Sequence, residues 1–240
     1  MTDITETADT TPASSETALA STKANRPGAL RGDVSLTLHT QFAVNAFNGR
    51  PPTDDGVRAI PGLYRFANCL DQIAVGVVSD DPYADLALVQ VDKLMDRAET
   101  ILTTRHDLFR DKLGSSSRMS VAIASSTDPH VVTLKLRSPY AHWAARLIGR
   151  LDEVAVAALS AHHVGLIGSA ALDAAMRECM RVIRAPFHGA ARYRFSGVTW
   201  VDMEQQTGRV KEVVAERGQV PDEIIDRTLR PRFQMSPKAH

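Results

Sequence analysis

The stretch that decides the fold is His130-Val131-Val132-Thr133-Leu134-Lys135-Leu136-Arg137-Ser138-Pro139. It alternates: Val132, Leu134 and Leu136 fall on one face, and Thr133, Lys135 and Arg137 on the other. A period of two marks a half-buried strand, predicted over 131–137. Ser138 is a candidate helix N-cap, with Pro139 at N1, where its missing N–H costs nothing. Trp143, Ala144, Leu147, Ile148, Leu151, Val154, Ala155 and Ala158 then recur at helical spacing, which predicts a helix from 139 to about 162. Gly165 and Gly168 end it. Ser169 caps a second helix, with Leu172, Ala175, Met176, Cys179, Met180, Val182 and Ile183 mostly on its apolar side. Its free positions carry Arg177, Arg181 and Arg184, and Pro186 is expected to break it.

Before this stretch, residues 1–29 are rich in Thr, Ser, Ala and Glu without periodicity, and read as a disordered tail. Val34-Ser35-Leu36-Thr37-Leu38-His39-Thr40 alternates as a second strand with Val34, Leu36 and Leu38 inward. Thr40 can cap a short helix holding Phe42, Ala43, Ala46 and Phe47, and Asn48-Gly49-Arg50-Pro51-Pro52 closes it as a turn. Both strands thus lead through a Ser or Thr into a helix. Helices over 62–78 and 82–112 are expected as an antiparallel hairpin, the second started by Ser79-Asp80-Asp81-Pro82. Gly114-Ser115-Ser116-Ser117 is a joint, and 119–124 reads as a strand that a turn returns into 131–137 as a β-hairpin. Past Pro186, residues 188–199 read as loop and strand, 209–217 as a helix, a short helix runs through Ile225, and 227–240 reads as loose. The expected fold is α+β and mostly helical. An antiparallel hairpin or ribbon accompanies long helices, in segments 30–114, 115–204 and 205–240.

The 240 residues hold 28 Lys+Arg and 28 Asp+Glu, so the total charge argues for no partner. The distribution says more. Residues 51–116 carry eleven acids and seven bases, whereas 117–200 carry ten bases and five acids. The basic segment overlaps the strand–helix–helix stretch, a pointer to an anionic partner. Only Cys69 and Cys179 occur, both in apolar helical runs, which suits reduced thiols in a cytoplasmic protein. No run of about 18 apolar residues predicts a membrane span.

Enzyme chemistry finds little support. His162-His163 are adjacent, so on a helix they point about 100° apart, and neither has a ligand three or four residues away. Asp80-Asp81 reads as helix capping and Asp152-Glu153 as exposed mid-helix acids. Nucleophile-elbow, phosphate-loop and zinc-protease motifs are missing. No catalytic residue, metal or cofactor is expected.

A strand with a basic polar face followed by two helices is the order of a ribbon-helix-helix unit. A two-stranded ribbon fits a major groove, so Thr133, Lys135 and Arg137 become candidate base-reading residues on double-stranded DNA. Arg181 and Arg184 suit phosphate contacts or surface salt bridges equally. A strand with one wet face looks identical in sequence. The strand at 34–39 competes for the ribbon role.

Further residues carry a resemblance. The strand at 34–40, the Asn48-Gly49-Arg50 turn, Ile60-Pro61-Gly62-Leu63, Asp80-Asp81-Pro82-Tyr83-Ala84-Asp85, Leu136-Arg137-Ser138-Pro139-Tyr140 and His163-Val164-Gly165-Leu166-Ile167 together resemble the AcaB-like proteins of integrative conjugative elements and conjugative plasmids. The resemblance covers residues 30–202. It implies a cytoplasmic transcriptional regulator of conjugative-transfer genes, a homodimer whose ribbon takes one strand from each subunit. Carried onto this chain, it makes 131–137 the ribbon. The alternative is an accessory structural protein of the conjugation apparatus that binds protein through helices 62–112 and never touches DNA.

Overall fold

The two alternating stretches pair with each other. In a computed structural model, Val34–Leu38 (β1) and His130–Leu134 (β2) form a two-stranded antiparallel sheet. Leu36 lies opposite Val132, Ser35 opposite Thr133 and Thr37 opposite Val131. The structure describes residues 34–54, 56, 58–115, 123–233 and 235. The expected tail at 1–29 and residues 119–122 of the expected hairpin lie outside them. Ile123 and Ala124 are described and are not in a strand. Among the described residues the strand paired with β2 is β1, from the start of the fold. The strand also stops at Leu134 rather than at Arg137.

Each strand feeds a capped helix. Thr40 accepts from the Ala43 N–H to start Gln41–Asn48 (α1), and Ser138 accepts from the Tyr140 N–H to start Pro139–His163 (α4). Two further helices follow as expected: Leu63–Val78 (α2) and Pro82–Gly114 (α3), the latter capped by Asp81. Ser169–Ala191 (α5) starts after Gly168, with Ser169 as its first residue rather than its cap. It runs through Pro186, against expectation. The proline forfeits one backbone hydrogen bond. Val182, Ile183, Phe187 and Ala190 are buried around it, and the Phe187 ring stacks on Phe66 at 4.8 Å, which offsets the loss.

The core gathers α1, α2, α4 and α5, with α3 lying along α4 and α5. The segment 188–199, read as loop and strand, continues α5 to Ala191 and then runs as loop without a strand; the helix Trp200–Gln205 (α6) follows it, started by a capping box between Thr199 and Asp202. Gly208–Arg217 (α7) and Asp222–Ile225 (α8) appear where expected. Val198, Met203, Val210, Val213, Val220 and Ile224 pack with Tyr83 and Val89 of α3 as a small second core. The end of the chain is docked, not loose, over 227–233 and 235. Arg232 lies over the Trp143 ring at 4.4 Å, Phe233 meets Tyr140 edge-on, and Met235 is buried.

Asp81 shows why that C-terminal region seats. It is 1 % exposed and accepts from the Tyr83 N–H, the Tyr193 hydroxyl, and the Ser196 N–H and hydroxyl at 2.7 to 2.9 Å. A capping acid thereby also ties the chain after α5 to the start of α3.

Candidate nucleic-acid interface

The sheet buries one face. Leu38 and Leu134 are in the core, with Leu36 and Val132 packed partly against it. Leu36 comes down beside Gly149 of α4, where a β-carbon would stand 3.4 Å from its Cδ1. The other face carries Ser35, Thr37, Val131 and Thr133, all exposed. Adjacent side chains of a strand point to opposite faces, so burial of the leucines fixes this outer row. Beyond the strand ends, His39, Lys135 and Arg137 are exposed as well. Lys135 and Arg137 have no ion-pair partner among the described residues.

The junction between β1 and α1 is held by Asp152 of α4, which is 4 % exposed. Its carboxylate accepts from the His39 N–H at 2.7 Å, the Thr40 N–H at 2.8 Å and the Thr40 hydroxyl at 2.7 Å. Asp152 was expected to be exposed; it is buried because three donors from a distant segment replace water. Its neighbour Glu153 is exposed and pairs with Arg150. The His39 ring reaches the other strand's approach, its Nδ1 accepting from the Ser126 N–H at 3.2 Å. On the β2 side, His142 Nε2 lies 3.1 Å from the Leu136 carbonyl. Both exits from the ribbon are therefore fixed to α4.

Arg181 and Arg184 lie on α5, in a row with Arg177, His188 and the C-cap Arg192 at spacings of three or four residues. Arg181 is exposed and borders a shallow groove of about 630 Å³ with Arg105, Leu108 and Lys112 of α3. Arg184 is half-buried, and among the described residues its Nε has no hydrogen-bond partner. Burial and the neighbouring Arg50 push its guanidinium below the usual arginine range. Burial, then Arg192 and Arg184, push His188 down too. The structure thus separates the candidate residues: Thr133 lies in the ribbon, Lys135 and Arg137 lie just beyond its end, and Arg181 and Arg184 lie in the α5 row. Sequence reasoning missed Ser35, Thr37 and Val131 as outer positions. The signal was present, since the inward assignment of Leu36 and Leu38 leaves Ser35 and Thr37 outward.

Among the described residues no group of three His, Cys, Asp or Glu could hold a metal ion, and no helix is long and apolar enough to cross a membrane. Cys69 and Cys179 are free thiols, and burial pushes Cys179 up to about 11.

Residues 26–238 match the model of a family described as "Transcriptional regulator AcaB". The chain is thus a transcriptional regulator, which is not a class of enzyme. It belongs to the AcaB family. Among solved structures its fold is similar to that of selenomethionine-containing AcaB from uropathogenic E. coli, with a TM-score of 0.54 and 13 % identity over 81 % of this chain and 95 % of that one. No curated protein matches it.

Proposed function

We propose that this regulator binds double-stranded DNA in the cytoplasm by laying the outer face of the β1–β2 ribbon in the major groove, and that it controls conjugative-transfer genes. The observation that carries the reading is the ribbon itself: two strands, one face packed on helices, the other exposed and carrying Ser35, Thr37, Val131 and Thr133. A two-stranded ribbon is a shape the major groove admits. Thr133 reaches base edges, and Lys135 and Arg137 reach bases or flanking phosphates. Arg181 and Arg184 are assigned to phosphate, on charge and, for Arg184, an unpaired Nε. The family's regulatory role and the resemblance to proteins of conjugative elements support the choice of target genes. Both strands of the ribbon come from one chain, so a partner subunit is not needed to build it.

The test is a gel-shift titration on DNA from upstream of transfer genes, wild type against Lys135→Ala/Arg137→Ala. The variant is expected to bind roughly tenfold or more weakly, with a salt slope shallower by about two, and with an unchanged thermal melt. Equal binding by both proteins would overturn the assignment of these two residues. No binding by wild type at low salt would overturn the ribbon reading for that DNA.

A further inference from the structure

The two halves of the ribbon are related by a pseudo-dyad, and their side chains do not obey it. β1 leads through Thr40 into α1, and β2 through Ser138 into α4, each followed by a second packing helix, α2 and α5 respectively. Both strands show the same order of burial: two exposed residues, one half-buried, one exposed, one buried. The register makes the relation quantitative. Leu36 faces Val132, the third residue of each strand, so a two-fold axis passes through that pair. It exchanges Leu38 with Leu134, both in the core.

The same axis exchanges the outer positions: Ser35 with Val131, Thr37 with Thr133, and His39 with Lys135. Only the threonines match. A ribbon built from two identical strands repeats its side chains about its dyad, and so calls for a DNA site with inverted symmetry. Here Ser35 offers a hydroxyl that donates or accepts, while Val131, 60 % exposed, offers only apolar contact, which the thymine methyl group satisfies. Lys135 donates to acceptors such as guanine O6 and N7 or to phosphate. His39 is committed at Nδ1 to the Ser126 N–H, which leaves Nε2 for a ligand.

We propose, resting on the ribbon as the DNA-reading element, that a single chain reads one site and that this site lacks dyad symmetry. Thr37, His39 and Val131 read one half. Ser35, Thr133 and Lys135 read the other. The partner is thus a directional DNA element, and the complex has a defined orientation relative to a promoter.

The experiment is selection of binding sites by the full chain from random-sequence duplex, followed by Val131→Ser with its thermal melt checked. The wild-type consensus is expected to show no inverted repeat about its centre, with one chain per minimal duplex in sedimentation. Val131→Ser is expected to lower the preference for thymine at one position, in one half only, by about tenfold. A palindromic wild-type consensus, or two chains on the minimal duplex, would overturn the proposal while leaving DNA binding in place. An unchanged consensus for Val131→Ser in a folded protein would overturn the assigned half. Failure to enrich any sequence at low salt would overturn the ribbon reading and this inference with it.

Discussion

Asp152→Ala is the perturbation that most directly tests how the ribbon is seated. The carboxylate holds three donors within 2.8 Å, two of them on buried Thr40. A hydrogen bond to a charged group contributes about 1.5–3 kcal/mol, and a buried donor left unpaired costs a comparable amount. The His39 N–H is only partly buried and can be rehydrated, so the loss falls on the Thr40 N–H and hydroxyl. Together these give about 3–4 kcal/mol, a large share of the 5–15 kcal/mol typical of a domain. Asp152→Asn keeps one acceptor oxygen but turns an NH2 toward a donor, and is expected to cost about 2 kcal/mol. The assay is urea unfolding followed by far-ultraviolet circular dichroism, with the midpoint falling at constant slope. A double-mutant cycle with Thr40→Val should show coupling of at least about 1 kcal/mol. An Asp152→Ala protein within about 1 kcal/mol of wild type, or purely additive double-mutant effects, would refute the argument that this carboxylate holds the junction.

Gly76 of α2 faces the Tyr193 hydroxyl so closely that a β-carbon would stand 1.9 Å from it. Gly76→Ala should therefore displace Tyr193 from Asp81 and cost about 2–4 kcal/mol in urea unfolding; the same change in a Tyr193→Ala background should cost far less. Tyr140 and Tyr193 have their phenol pKa raised above 10, first by burial and then by Asp92 and Asp81 respectively. The fold thus favours the protonated phenols, so their contribution is complete below about pH 10 and is lost as pH rises beyond it. Urea midpoints between pH 8 and 11 should fall steeply for wild type and less for Tyr140→Phe/Tyr193→Phe; equal slopes would contradict the attribution. Phe233→Ala should cost about 2–3 kcal/mol and shift Trp143 fluorescence to longer wavelength, because the ring meets both Tyr140 and Trp143.

What the sequence reveals here is local grammar. Alternation at Leu36-Thr37-Leu38 and Val132-Thr133-Leu134 marks both strands, and Thr40, Asp81 and Ser138 mark three helix starts through bonds to nearby N–H groups. Pairing is another matter. Nothing within either strand specifies a partner 92 or more positions away, so the nearer candidate at 119–124 was the expected one. Asp152 was misread for the same reason, since a mid-helix acid reads as solvated until distant donors meet it. Pro186 and the docked Phe233 were missed because tertiary burial outweighs a local breaking signal. Of the site, Thr133, Lys135 and Arg137 were legible as an exposed row; the complementary row on β1 follows only once the two strands are known to be neighbours.

The separation of the paired strands also bears on how the protein is made. Leu38 meets its partner His130 92 positions further along the chain. The entropy of closing so long a loop grows only slowly with its length, by about 0.6 kcal/mol per doubling, but the contact is non-local and forms late. On the ribosome, β1 emerges with α1, α2 and the whole of α3 still to come before β2 exists. Helices can form in that interval, but the strand edge stays unpaired until synthesis passes Leu134. A translation product halted inside α3 would possess helical structure and no ribbon.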